Sequence, residues 1–353
     1  MIYSSFKVVH NMDRIEDLKN KVNIMPTQIQ VDLTNACNHH CPYCFYRCAR
    51  NKYLNALFND QDRIPYEIMV SLLNEFRKLG IGAVQYTGGG EPFKHGQIYE
   101  ILEYTILSNL HFAIVTNGGM INPHKNNILA KADWIRVSLD ASQEETYLKS
   151  HNPDYPFEFN LVLDNIKSLV EDCPDTIIGV SFVVNPVNWK EIVSATNLVK
   201  SLGVDNIRFS VAYTPRGMDL YKGFWPQIEK LALEARKLGD EKFKVFDLIM
   251  PHLENLELKQ KGYDFCGYQY FTAVIGADME VYPCCTLKYN QLSKLGNLKQ
   301  QNFLEVWNGK QRLDWLKKDH LKLVCDKNPC WMDSKNQFIS YLIKQDAPHI
   351  NYI

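Results

Sequence analysis

From position 26 to about position 215, short apolar runs alternate with helical patterns. The strand-like runs are Ile29–Leu33, Ala83–Thr87, Phe112–Thr116, Trp134–Leu139, Ile177–Val184 and Ile207–Val211. Helical periodicity between them predicts helices near Pro65–Leu79, Gln97–Ser108, Asn126–Lys131, Phe159–Glu171 and Trp189–Leu202. In the first of these, Ile68, Leu72, Leu73, Phe76 and Leu79 recur on one face and Gly80 ends the run. The strand runs are rich in Val, Ile and Phe, the pattern of strands covered on both faces. Six strands alternating with helices predict an α/β fold with a parallel sheet, open or curled into a partial barrel. In such folds functional groups gather at the C-terminal ends of the strands.

After Gly217 the alternation stops. A helical run, Phe224–Lys237, leads to two short strand-like runs, Phe271–Ile275 and Glu280–Tyr282, separated by Gly276-Ala277-Asp278-Met279. This is a hairpin with Cys266 before it and Cys284 at its end. Leu295-Gly296-Asn297-Leu298 and a helix-like Phe303–Trp307 follow. The chain is thus expected to divide into an N-terminal extension (1–25), a core (26–239) and a smaller C-terminal domain of a β-hairpin plus helices (240–353).

Composition narrows the function. With 39 Lys and Arg against 40 Asp and Glu, the net charge of −1 offers no electrostatic basis for binding nucleic acid or an anionic membrane. No apolar run approaches the roughly 20 residues that cross a bilayer, and the first ten residues lack a signal-peptide core. A cytoplasmic protein is expected. Its ten cysteines then read as metal or cluster ligands rather than as disulfides.

The chemistry falls where the fold predicts it, just after strands. Cys37, Cys41 and Cys44, spaced C-x3-C-x2-C, follow the first strand. Soft thiolates this close together select an iron–sulfur cluster or zinc. A structural zinc site would need a fourth ligand from Cys48, His39 or His40, and unrelated buried thiols are a third reading. Thr87-Gly88-Gly89-Gly90-Glu91-Pro92 follows the second strand, Thr116-Asn117-Gly118-Gly119 the third, and Ser138-Leu139-Asp140 ends the fourth. Asn185-Pro186 follows the fifth and Tyr213-Thr214-Pro215-Arg216 the sixth. Glycines there allow close backbone approach to a ligand, though each turn alone is also an ordinary turn.

Taken together, Cys37-x3-Cys41-x2-Cys44, the aromatic Tyr43 before the third cysteine, and Gly89-Gly90-Glu91-Pro92 resemble the radical S-adenosylmethionine (radical SAM) family over residues 26–215. The resemblance implies a partial (β/α)6 TIM-type barrel. Cys37, Cys41 and Cys44 would bind three irons of a 4Fe–4S cluster whose fourth iron is chelated by SAM, leaving Cys48 surplus. Tyr43, Gly89, Gly90, Glu91, Ser138, Asp140 and Asn185 would form the SAM site. The C-terminal hairpin, Gly-Asn and tryptophan helix resemble the auxiliary-cluster domains of this family, SPASM in the larger form and Twitch in the shorter. Five cysteines fit one extra 4Fe–4S cluster, with Cys266, Cys284, Cys325 and Cys330 as ligands and Cys285 as the substitute. Two features depart from the family pattern: Met279 stands where a glycine usually precedes the second cysteine by five residues, and the last pair is spaced x4 rather than x2. A zinc site from four of these cysteines is the competing reading. Cys173 reads as an ordinary buried thiol.

The implied activity is reductive cleavage of SAM to a 5′-deoxyadenosyl radical, which abstracts hydrogen from a substrate. An electron donor such as flavodoxin or ferredoxin would be required. The first expectation for the substrate is a small molecule, a sugar, cyclitol or nucleotide, undergoing oxidation or rearrangement. The second is a peptide, as for maturases that crosslink or epimerise residues. A glycyl-radical activase and a zinc-bound structural protein are the remaining alternatives. Arg47, Arg50, Arg136, Arg208 and Arg216 are candidates to meet an anionic substrate or the SAM carboxylate. Arg136 shares a strand face with Ser138, and Arg208 lies on the sixth strand. Tyr213 and His151 are further substrate candidates.

Overall fold

The computed structural model describes residues 5–20, 22–47, 57–214, 217–257, 261–318, 320–327 and 330–344. Cys48, Arg50 and Arg216 lie outside the described residues. Six parallel strands lie in chain order: β1 (Gln28–Asp32), β2 (Ala83–Thr87), β3 (His111–Thr116), β4 (Trp134–Ser138), β5 (Ile177–Val184) and β6 (Asn206–Val211). The expected alternation does not stop there. Helix Trp225–Arg236 leads to β7 (Lys244–Asp247), which pairs parallel to β6. This strand was illegible because it is an edge: none of its residues is fully buried, and it carries charge at both ends.

The C-terminal hairpin continues the same sheet. β8 (Thr272–Ile275) pairs parallel to β1, while β9 (Glu280–Tyr282) and β10 (Gly296–Asn297) add antiparallel strands outside it. The sheet therefore reads β10-β9-β8-β1-β2-β3-β4-β5-β6-β7. The N-terminal segment packs on the C-terminal one, with Ile15, Leu18 and Ile24 forming a small second core with Tyr268, Phe271 and Ile339.

Apart from His111, the residues of β1–β6 are buried or half-buried, so the strands are covered on both faces as expected, but the two faces differ. One face (Ile29, Val31, Val84, Tyr86, Phe112, Ile114, Ile135, Val137, Val180, Phe209) is buried in the main core with the helices. The alternate positions line the barrel interior and include paired polar residues: Gln30 beside Gln85, Ser138 beside Ser181, and Ser181 beside Arg208. Curling of the sheet brings the β1 side within reach of β4 and β6 across the mouth. The loop after β1 reaches the end of β4, where Tyr43 donates to Asp140 at 2.6 Å. Trp331 lies against both Phe45, after β1, and Tyr213, after β6, at ring distances of 4.9 and 5.2 Å.

Candidate active site

The cysteine loop leaves β1 and folds over the C-terminal strand ends. The Cys44 amide donates to the Cys41 carbonyl at 3.0 Å, closing a turn between the second and third thiols. Burial pushes the Cys37 thiol up to about 12, and the Glu91 carboxylate adds to the rise. Burial also raises Cys41, and Cys44, Asp140 and Cys37 push in the same direction. Three thiols crowded in a dry site resist deprotonation singly, so their thiolate forms call for cationic metal between them. The donor set fits an iron–sulfur cluster.

The two histidines in the loop are engaged elsewhere. His40 Nε2 meets Asp154 Oδ1 at the surface, at 2.9 Å. His39 Nε2 lies 2.7 Å from Glu158 Oε1, and its Nδ1 lies 3.2 Å from His151 Nδ1. His151 donates from Nε2 to the Leu139 carbonyl, so its Nδ1 must accept from His39. Burial, with His39 beside it, pushes His151 down to about 3, which keeps it neutral. Cys41 Sγ sits 3.6 Å from the same Nδ1. His39, Cys41 and His151 thus have ligand atoms within 4.8 Å of one another. The hydrogen bonds give both histidines the task of bracing the loop from behind.

The glycine turn after β2 docks directly on this loop. The Gly90 amide donates to the Thr34 carbonyl, and the Glu91 amide to the Ala36 carbonyl. A Cβ on Gly90 would lie 2.1 Å from Ala36 O, and one on Gly89 2.1 Å from Asn35 Oδ1. Only glycine permits that approach. Glu91 is buried and accepts from the Phe93 amide, the Thr116 hydroxyl and the Asn117 amide, tying the turn to the end of β3. Asn117 then donates to Asn38 in the cysteine loop at 2.8 Å.

Asp140 holds the β4 end. Its side chain accepts from Tyr43 Oη and the Val183 amide, and its backbone takes a left-handed φ of 52°. Burial pushes its carboxyl up to about 6. Ser138 Oγ lies 3.2 Å from Ser181 Oγ. Asn185 is occupied in its own turn, accepting from the Val187 amide and donating to the Val183 carbonyl. To the residues recognised from sequence the structure adds Asn38 and Glu158, joined at 3.0 Å, and Asn188, whose side-chain amide donates to the Asp140 carbonyl at 2.8 Å. Single polar residues of this kind carry no spacing signal, because their partners are distant in the chain.

Arg136 and Arg208 lie on the interior face of the barrel, and Arg136 is buried with its guanidinium 4.8 Å from the Trp134 ring centroid. The Tyr213 ring lies 5.7 Å from that of His252, tilted by 47°. The Tyr213 hydroxyl and His252 Nδ1 are buried with no hydrogen-bond partner among the described residues. Arg47 is drawn to the loop instead, donating to the Asn35 carbonyl and pairing with Asp60.

In the C-terminal segment Cys266, Cys284, Cys325 and Cys330 line one pocket, together with Tyr263, Trp315 and Met332. Cys285 is not among its lining residues. Burial raises all four thiols. Cys330 is pushed to about 12, with Cys266 next in effect, and Cys284 is raised by burial and then by its neighbouring cysteines. Four such thiols around one space fit a second cluster. Met279 has φ 64°, in the left-handed region that favours glycine, the residue that the resemblance leads one to expect at this position. Cys173 is buried in the main core, its Sγ 3.6 Å from the Asn126 carbonyl.

Residues 31–199 match the radical SAM superfamily, and residues 266–331 match the SPASM iron–sulfur cluster-binding domain. The chain belongs to the radical SAM family of enzymes and carries a C-terminal SPASM domain. Its cofactors are accordingly a 4Fe–4S cluster and SAM, and the SPASM domain implies further iron–sulfur binding. The chain is 22% identical to the tungsten-containing aldehyde ferredoxin oxidoreductase cofactor-modifying protein of Pyrococcus furiosus, covering 82% of each chain. It is 21% identical to the mycofactocin maturase MftC of Mycolicibacterium smegmatis, over 80% of this chain and 70% of that one. Among solved structures it resembles Streptococcus suis SuiB bound to S-adenosylmethionine, with TM-score 0.64 and 17% identity over 86% of this chain and 71% of SuiB. SuiB has also been solved with its precursor peptide SuiA. Among the described residues no helix is long and apolar enough to cross a membrane.

Proposed function

We propose that this enzyme abstracts hydrogen from a small anionic molecule, a sugar, cyclitol or nucleotide-like compound held inside the barrel, for oxidation or rearrangement. The observation that carries this is the interior itself: Arg136 and Arg208 on a polar face, beneath an aromatic roof of Phe45, Trp331, Tyr213 and His252. A buried and a half-buried cation, with a Tyr213 hydroxyl and a His252 Nδ1 that have no hydrogen-bond partner among the described residues, favour a compact ligand with charge and hydroxyl groups. Cys37, Cys41 and Cys44 are assigned to the SAM cluster, and Tyr43, Gly89, Gly90, Glu91, Ser138, Asp140 and Asn185 to the SAM pocket. Cys266, Cys284, Cys325 and Cys330 are assigned to the auxiliary cluster. Bound there, these cofactors supply a radical strong enough to take hydrogen from carbon. The chain's own part is to orient SAM, hold the substrate and keep water out. Electrons would come from a flavodoxin or ferredoxin in the cytoplasm.

A peptide substrate is the second reading, favoured by the naming of MftC as a maturase and by the peptide-bound SuiB structure. Deuterium transfer decides between them. The reconstituted enzyme, with about eight irons on the two-cluster assignment, is given SAM, reductant and deuterated candidates. Label entering 5′-deoxyadenosine from an anionic sugar or nucleotide supports the first reading, and label arriving only from peptides overturns it. Alanine at Cys37, Cys41 and Cys44 should abolish 5′-deoxyadenosine while about four irons remain.

A further inference from the structure

The loop after Cys284-Cys285 turns back into the barrel at Lys288. Its ammonium lies 2.8 and 2.6 Å from the two Asp32 oxygens at the end of β1 and 3.3 Å from the Gly88 carbonyl. The same nitrogen sits 4.2 Å from the Tyr46 ring centroid. Both charged side chains are shut off from solvent, Lys288 at 1% and Asp32 at 0% exposure. The hydroxyl of the next residue, Tyr289, is 2.8 Å from Asp32 Oδ2 and 2.6 Å from Asn35 Oδ1. Asn35 is the side chain that a Cβ on Gly89 would strike. Two consecutive residues of the C-terminal segment therefore hold the end of β1, the root of the cysteine loop and the first glycine of the turn.

Filling space does not require a lysine here. Well-packed apolar residues of similar volume do as well as a buried ion pair or better. What the ammonium adds is direction. It has three N–H donors, and the two Asp32 oxygens and the Gly88 carbonyl use all of them.

We propose that Lys288 is a positioning residue that sets the Gly88–Gly90 backbone for SAM, so that SAM affinity depends on the auxiliary loop. This rests on the assignment of Gly89 and Gly90 to the SAM pocket. The test uses the reconstituted enzyme with both clusters and compares wild type, Lys288→Met, the double variant Asp32→Asn/Lys288→Met, and Gly89→Ala. Two quantities are read: the SAM dissociation constant by equilibrium dialysis, and the change SAM makes in the electron paramagnetic resonance spectrum of the reduced cluster. Iron content and melting temperature are followed alongside.

Loss of an outer-shell partner weakens binding about 10- to 100-fold. A rise in Kd of at least about tenfold is expected in both Lys288 variants, with iron at the wild-type level and the spectral change lost at SAM concentrations that saturate wild type. If Lys288→Met does not fold because Asp32 is left charged and buried, the double variant, which removes both charges, supplies the measurement. Wild-type affinity and spectrum in a folded double variant overturn the proposal. If Gly89→Ala binds SAM as wild type does, the pocket assignment falls and the proposal with it. Loss of SAM in Gly89→Ala alone removes only the role of Lys288.

Discussion

Asp278 illustrates what single residues do in this chain. It sits in the hairpin between β8 and β9, accepting from the Tyr282 hydroxyl at 2.6 Å and from the Glu280 amide. Burial pushes its carboxyl up to about 6 against those two hydrogen bonds. In the unfolded chain the group titrates near its ordinary 3.8. Between about pH 4 and pH 6 the native state keeps a proton that the unfolded chain has released, so stability falls as pH rises through that window. Asp278→Asn should flatten this fall, measured as urea midpoints across the window. An unchanged slope would locate the proton elsewhere. The same residue scale shows the limit of pattern reading. Met279 was legible as a departure from the expected glycine, but only the structure shows that its φ of 64° lies in the left-handed region that favours glycine.

At the scale of elements, the decisive unit is the pair of loops after β1 and β2. They meet backbone to backbone, through the Gly90 and Glu91 amides and the Thr34 and Ala36 carbonyls. Gly90→Ala would put a methyl 2.1 Å from a carbonyl oxygen that cannot move without moving the cysteine loop. Overpacking of this kind costs about 1–3 kcal/mol. Iron at the SAM cluster and SAM cleavage should fall together, measured by iron assay and chromatography. Gly96→Ala, which meets nothing within 4 Å, is the matched control and should behave as wild type. Both loops were legible in the sequence because cysteine and glycine spacings are local. Their docking was not, since Glu91 reaches Thr116 and Asn117 through a fold, and no local pattern records that.

On the scale of the whole molecule, the C-terminal domain helps to build the active-site end of the barrel. Its hairpin extends the sheet through β8, Lys288 enters beneath the glycine turn, and Trp331 spans from Phe45 to Tyr213. Trp331→Ala should remove part of the roof. For a half-buried aromatic the expected loss of stability is about 2 kcal/mol, below the range for a fully buried one. Iron content should hold, while 5′-deoxyadenosine formed without added substrate rises severalfold as solvent and reductant reach the site. Unchanged uncoupled cleavage would mean that Trp331 only fills space.

By itself the sequence determined the class of chemistry and the order of the barrel. Three thiols within eight residues, a glycine turn after the next strand and strand-helix alternation are local signals, and local spacing is what a one-dimensional pattern preserves. Tertiary structure alone decided which polar strand residues meet across the interior, that a seventh parallel strand exists, and that one pocket gathers Cys266, Cys284, Cys325 and Cys330 while Cys285 stands outside it. It also decided that Asp32 and Lys288, 256 positions apart, form one buried pair. Such contacts depend on curling and closure of the sheet, and these follow from packing the whole chain rather than from any stretch of it.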